Sequence, residues 1–176
     1  VASKVGASAN TYTLTQAQPN ATTTGTSLGL GLSFGIGIAA HESIASIDAG
    51  ATLDAAGDIS VQADSDHAMA TRAQAGAQSD GGTAIGGALA LSVANNNTGA
   101  SVAAGSALQS SGNVSITAAS SQDQSSEADA DTKGGQTGVG IAFAMGGRDD
   151  TSALLARDVS TGAASASDVK VEATPR

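Results

Sequence analysis

Apolar residues alternate with small or polar ones along much of this 176-residue chain, and the period is that of a strand. Leu30, Leu32, Phe34, Ile36 and Ile38 occupy every second position, separated by Gly31, Ser33, Gly35 and Gly37. The rhythm returns at Ile85, Leu89, Leu91 and Val93 against Gly86, Ala88, Ala90 and Ser92. It returns again at Val139, Ile141, Phe143 and Met145 against Gly140, Ala142 and Ala144. A helix would scatter these side chains around its cylinder, whereas a strand lines them up on one face. Between the long stretches lie brief apolar pieces, Ile47, Leu53, and Ile59 with Val61, broken near Gly50 and Gly57. Short strands with Gly corners suit the faces of a parallel β-helix, because glycine takes the tight bends.

The pieces recur at a fixed spacing. Gly57-Asp58-Ile59-Ser60-Val61 matches Gly112-Asn113-Val114-Ser115-Ile116, a shift of 112 − 57 = 55, and the same shift carries Asn113-Val114-Ser115-Ile116 onto Asp168-Val169-Lys170-Val171. Only the region from Val139 to Val159 needs a small gap. A repeat of this length implies a solenoid in which each unit buries its face against its neighbours. The expected fold is therefore all-β: a parallel β-helix of about 55 residues per repeat with a flattened two-layer extension. It is taken as right-handed, following the general preference of crossovers. Residues 1–176 read as one solenoid piece, with repeats at about 1–24 (partial), 25–79, 80–134 and 135–176 (partial). The chain begins and ends inside a repeat, so it is expected to be a fragment of a longer array.

Each repeat divides into a body of short strands, about Ala45 to Ser65, and a tongue, about His67 to Ala94, that reverses at Asp80-Gly81-Gly82 and, one repeat later, at Lys133-Gly134-Gly135. One large coil per repeat is the leading reading, with two shorter coils or a projecting hairpin as alternatives. In the tongue, Thr71, Ala73, Ala75 and Ala77 share a face, and large Ile85, Leu89 and Leu91 are expected to pack against Ala77, Ala75 and Ala73. The Gly/Ala/Ser face would then be the outer one. Stacked columns follow from the shift: Ile59/Val114/Val169, Val61/Ile116/Val171 and Ala63/Ala118/Ala173 inward, Asp58/Asn113/Asp168 at a polar corner, and Arg72 beside Glu127 on the surface.

Composition narrows the function classes. Aromatics make up 2% of residues and there are 23 glycines, so the interior must be thin. The net charge of −9 supplies no basic footprint for nucleic acid or an anionic membrane. The chain contains no Cys, so disulfides say nothing of its compartment. The longest apolar stretch, Leu28 to Ala40, is too interrupted by Gly for a spanning helix. No apolar leader follows Val1-Ala2-Ser3-Lys4.

The run Gly81-Gly82-Thr83-Ala84-Ile85-Gly86-Gly87-Ala88-Leu89-Ala90-Leu91, with Ala100-Ser101-Val102-Ala103-Ala104-Gly105-Ser106-Ala107-Leu108 and the Gly112 corner, resembles the repeats of large bacterial filamentous adhesins. The similar groups are the haemagglutinin-like exoproteins of two-partner secretion and the leukotoxin-like filamentous adhesins. The resemblance implies export to the cell surface or medium, a right-handed β-helix, and a role as stalk or adhesive fibre.

The chemical constellations are weak beside that reading. His41-Glu42-Ser43 holds the letters of a nucleophile relay, but adjacent strand residues point to opposite faces, and Asn96-Asn97-Thr98 one repeat later reads as a loop. Calcium is the most serious ligand, through Asp64-Ser65-Asp66, Asp129-Ala130-Asp131 and Asp149-Asp150. The EF-hand-like start at Asp129 is spoiled by Lys133 and by Gly140 at the bidentate position. Few aromatics argue against a sugar groove, and a β-helix lyase or epimerase is the remaining enzyme reading. The sequons at Asn20, Asn96 and Asn113 are common in such composition. No catalytic, cofactor or metal residue is assigned, and no enzymatic activity is expected. The expected function is a stalk or fibre segment, alternatively a module that binds a partner or itself through the flat Gly/Ala/Ser face. Expected partners are flanking repeats, other copies end to end or side by side, and a cell-surface receptor of unknown identity.

Overall fold

The structure, a computed structural model, describes residues 3–17, 23–25, 28–79, 82–105, 108–133, 148–161 and 168–175. Eleven strands follow one another: β1 (Ser3–Ala17), β2 (Thr23–Gly25), β3 (Leu28–Ile47), β4 (Asp54–Ala55), β5 (Ile59–Ser79), β6 (Thr83–Val102), β7 (Leu108–Ser110), β8 (Val114–Lys133), β9 (Arg148–Leu155), β10 (Val159–Thr161) and β11 (Val169–Pro175). They form three parallel sheets, β1-β5-β8-β11 with β2 also on β5, β3-β6-β9, and β4-β7-β10. We call these sheets A, B and C. The chain visits A, then B, then C, and returns to A one strand further along. It is a parallel β-solenoid with one large coil per repeat, which resolves the choice left open by the sequence.

From β3 onward the register follows the repeat, whereas β1 pairs with β5 at a shift of 59 − 3 = 56 and β2 with β5 at 77 − 23 = 54. Ile59 pairs with Val114 and Val114 with Val169, and Leu28 pairs with Thr83, each a shift of 55 (114 − 59, 169 − 114, 83 − 28). The expected gap falls in the third coil. The shift drops to 148 − 95 = 53 where β6 meets β9 and to 159 − 108 = 51 where β7 meets β10, then recovers at β11. Arg72 does pair with Glu127, Nε to Oε2 at 2.9 Å. Both side chains are about half exposed, so the pair contributes at most about 1 kcal/mol. At the corner, Asp58 Oδ1 accepts the backbone N–H of Asn113 (2.7 Å), and Asn113 Oδ1 accepts that of Asp168 (3.1 Å).

Each coil has two regions. In the body, the ends of β3 and β6, the starts of β5 and β8, and the short sheet C enclose a core of Ile47, Ile59, Val61, Val102, Leu108, Val114 and Ile116. Burying side chains of this size favours folding by about 1.5–3 kcal/mol each. In the tongue, β5 and β6 run in opposite directions, so Ala73 and Ala75 meet Ala88 and Ala90 in a second, all-alanine cluster. Val169 and Val171, on the last strand of sheet A, remain about half exposed because no described strand lies beyond them.

Two expectations fail here, and for one reason. Residues 41–43 and 96–98 are not a loop; they lie inside the unbroken 20-residue strands β3 and β6. Ile47 and Val102 must face the body core, and an uninterrupted strand carries that phase along its whole length. In β3 this turns Gly29, Gly31, Ser33, Gly35 and Gly37 inward and Leu30, Leu32, Phe34, Ile36 and Ile38 outward. In β6, Ala88 and Ala90 face inward, while Ile85 is exposed and Leu89 and Leu91 lie half-buried on the other side. The large residues therefore do not pack on Ala73, Ala75 and Ala77, and the Gly/Ala/Ser face is the inner one. The reversal residues Asp80, Gly81, Gly134 and Gly135, and the stretch Val139 to Met145, lie outside the described residues.

Candidate functional site

Strand phase gives the tongue two unlike outer surfaces. On sheet B, Leu28, Leu30, Leu32, Phe34, Ile36 and Ile38 all project outward; Phe34 is 63% and Ile38 74% exposed. Beside them on β6, Leu30 pairs with Ile85, Phe34 with Leu89, Ile36 with Leu91 and Ile38 with Val93. Gly87, opposite Leu32, leaves a notch one side chain wide. No charged residue occurs from Leu28 to Ala40 or anywhere in β6; the first outward charge on β3 is Glu42. Sheet A is the reverse. Asp66 and Arg72 on β5, and Asp123, Glu127, Asp129, Asp131 and Lys133 on β8, are all exposed. On its outer side the large apolar groups among the described residues are Tyr12 and Leu14 on β1.

Between the sheets, where body meets tongue, the interior is polar. Ser92 Oγ donates to Thr71 Oγ1 across the gap at 2.7 Å, and Ser126 Oγ donates to Ser92 at 2.9 Å. Ser65 bonds Thr98 at 2.5 Å, and Ser120 bonds Thr151 at 2.6 Å. Hydroxyls suit sheets held this close, since they fill small volumes and satisfy one another. Thr11 Oγ1 lies 2.6 Å from His67 Nδ1 and 3.3 Å from His41 Nε2, and the two imidazoles stack with centroids 4.2 Å apart. Burial, and then the neighbouring His41, hold the His67 pKa below the ordinary imidazole value, against an opposing pull from Asp66 and Asp149. Asn96 is 0% exposed and neither of its amide atoms has a hydrogen-bond partner; Asp149 Oδ1 is likewise unpartnered, although its Oδ2 accepts from Ser120.

The residues singled out by sequence are dispersed. His41 and Ser43 face inward, where Ser43 Oγ donates to the Asp64 carbonyl, while Glu42 points outward; the three form no relay. Asp64 accepts from Gln62 on the outside of sheet A, Asp129 and Asp131 lie further along that face on β8, and Asp149 faces inward from sheet B. Among the described residues no three His, Cys, Asp or Glu side chains converge as a metal site would require. Of the sequons, Asn96 is buried, Asn113 is exposed but engaged at the corner, and Asn20 is outside the described residues.

Arg157 was invisible to the repeat. It occupies an alanine column: Leu155 pairs with Val102, which places Arg157 over Ala104. Its guanidinium reaches through three coils, donating to the carbonyls of Ala103 (2.5 Å), Ala51 (2.9 Å) and Asp48 (2.8 Å). Gly105 makes the room, because a β-carbon there would lie 3.2 Å from the guanidinium and 2.5 Å from the Ala49 carbonyl.

No family profile, curated protein or solved structure matches this chain.

Proposed function

We propose that the chain is a segment of the stalk or fibre of a bacterial surface or secreted adhesin, of the kind its repeats resemble, and that it works by spacing and not by catalysis. The observation that supports this is the unbroken ladder from coil to coil: 20 paired positions between β3 and β6 and 20 between β5 and β8, all parallel and in register. Each coil satisfies its backbone groups through the coils above and below, so the stack is stiff along its axis and its length is set by coil number. The end strands offer unpaired edges to flanking repeats or to another copy end to end. A surface receptor, if the chain has one, would meet the side faces of this stack. A binding role, the second reading, belongs to the apolar outer face of sheet B and not to the Gly/Ala/Ser face, which is buried.

Electron microscopy of the chain with ten further copies of a 55-residue repeat inserted in phase tests the proposal. The particle should lengthen by about 50 Å at constant cross-section, since parallel strands stack about 4.8 Å apart. Growth in all dimensions would overturn it.

A further inference from the structure

We infer that the partner of the apolar face on sheet B is a second copy of this chain, the two solenoids lying side by side with these faces in contact. This rests on the fibre reading for the length of the face, not for its chemistry. The reasons lie in charge, lattice and area. Two copies each carrying −9 repel unless they approach through surfaces without charge. Among the described side chains the outward charges of the tongue lie on sheet A and, on sheet B, at Glu42 and its column neighbour Asp150, beyond the end of the stripe, so contact through Leu30–Ile38 and Ile85–Val93 leaves both acidic faces outward in solvent. The face is also a lattice: large side chains repeat along β3 at every second residue, along β6 likewise except at Gly87, and from coil to coil at the strand spacing. A second copy presents the same two spacings, so its ridges fit the first molecule's grooves along the full length of the stack. The contact is isologous and closes as a pair.

Area sets the condition for stability. The stripe from Leu28 to Ile38 is about 33 Å long and each coil adds about 4.8 Å of width, or roughly 160 Å² of footprint per coil. A stable interface covers about 800 Å² per partner, so about five coils are needed. Among the described residues the stripe is carried by two strands of sheet B, β3 and β6, since β9 pairs only with Asn95–Val102, so pairing should be weak for single chains and should strengthen once end-to-end stacking lengthens the face.

The chain has no cysteine, so one introduced thiol reports one face. Leu89→Cys on sheet B is compared with Gln74→Cys on the outside of sheet A. Disulfide dimer formation is followed over a concentration series and normalised to reaction with a small disulfide reagent. Rod width is read by microscopy, and flotation with phosphatidylcholine vesicles is run in parallel. The expected result is cross-linking at least ten times faster for Leu89→Cys, with rods two molecules wide. Leu32→Asp combined with Leu89→Asp should return the rods to single width with the strand circular dichroism unchanged. Single-width rods with equal cross-linking at both sites would overturn the pairing and leave the fibre standing. Leu89→Cys dimers without rods would keep the pairing and sink the fibre. Flotation with vesicles that blocks cross-linking would assign the face to lipid and overturn the inference.

Discussion

A β-carbon added at Gly31 would lie 2.0 Å from the carbonyl oxygen of Gly76, whereas one added at Gly76 meets nothing within 4 Å. The two glycines look alike in the sequence, yet one faces the opposite sheet and the other faces solvent. Gly31→Ala should therefore destabilise the fold by about 1–3 kcal/mol through overpacking. Gly76→Ala should leave stability within about 1 kcal/mol of the parent or raise it slightly, by restricting the unfolded chain. Urea denaturation of the two variants distinguishes them, and equal losses would contradict the strand phase. At this scale the repeat made some pairs legible, such as Arg72 with Glu127 and Asp58 with Asn113, because both partners follow from one number. Arg157 follows no such rule. It appears once, in an alanine column, and its acceptors are backbone carbonyls that have no sequence signature.

Among the elements, strand type, direction and pairing were readable, and the facing of sheet B was not. Large and small residues alternate equally well with either set inside. A loop at residues 41–43 would let the phase change between Ile38 and Ile47, but in the unbroken strand Ile47 decides it. The consequence can be tested in one strand of sheet B. Ala90→Leu, forced into the alanine cluster, should cost about 1–3 kcal/mol, while Leu89→Ala on the outside should cost no more than about 1 kcal/mol. The opposite order in thermal denaturation would restore the large-inside reading. The buried imidazole of His67 adds a pH dependence. The folded state holds the His67 proton less tightly than the unfolded chain, whose value is near 6.5. Stability from this group is thus complete above that pH and declines as pH falls through it towards the lowered folded value. His67→Gln should flatten the urea midpoint between about pH 7.5 and 5.5, and an unchanged slope would show that other groups carry it.

Over the whole molecule, stability should grow with coil number, because each added coil brings one more set of ladders and inner-face contacts. Inserting one further 55-residue repeat in phase should raise the thermal midpoint, and insertion two residues out of phase should raise it less or lower it, as measured by calorimetry. By itself the sequence determined that the chain is a stack of strands, which residues of the second to fourth sheet A strands lie above one another, the polar corner at Asp58, Asn113 and Asp168, and that the third coil carries a gap. Those are matters of period, and period survives in one dimension. Only the tertiary structure decided which side of sheet B is the surface, because the choice depends on how closely two sheets approach. Beyond Met69, the Ala-rich inner face of β5 and the body core around Ile47 and Val102 draw the sheets together until glycine, alanine and small hydroxyls fill the space between them, and the leucines and isoleucines are left outside.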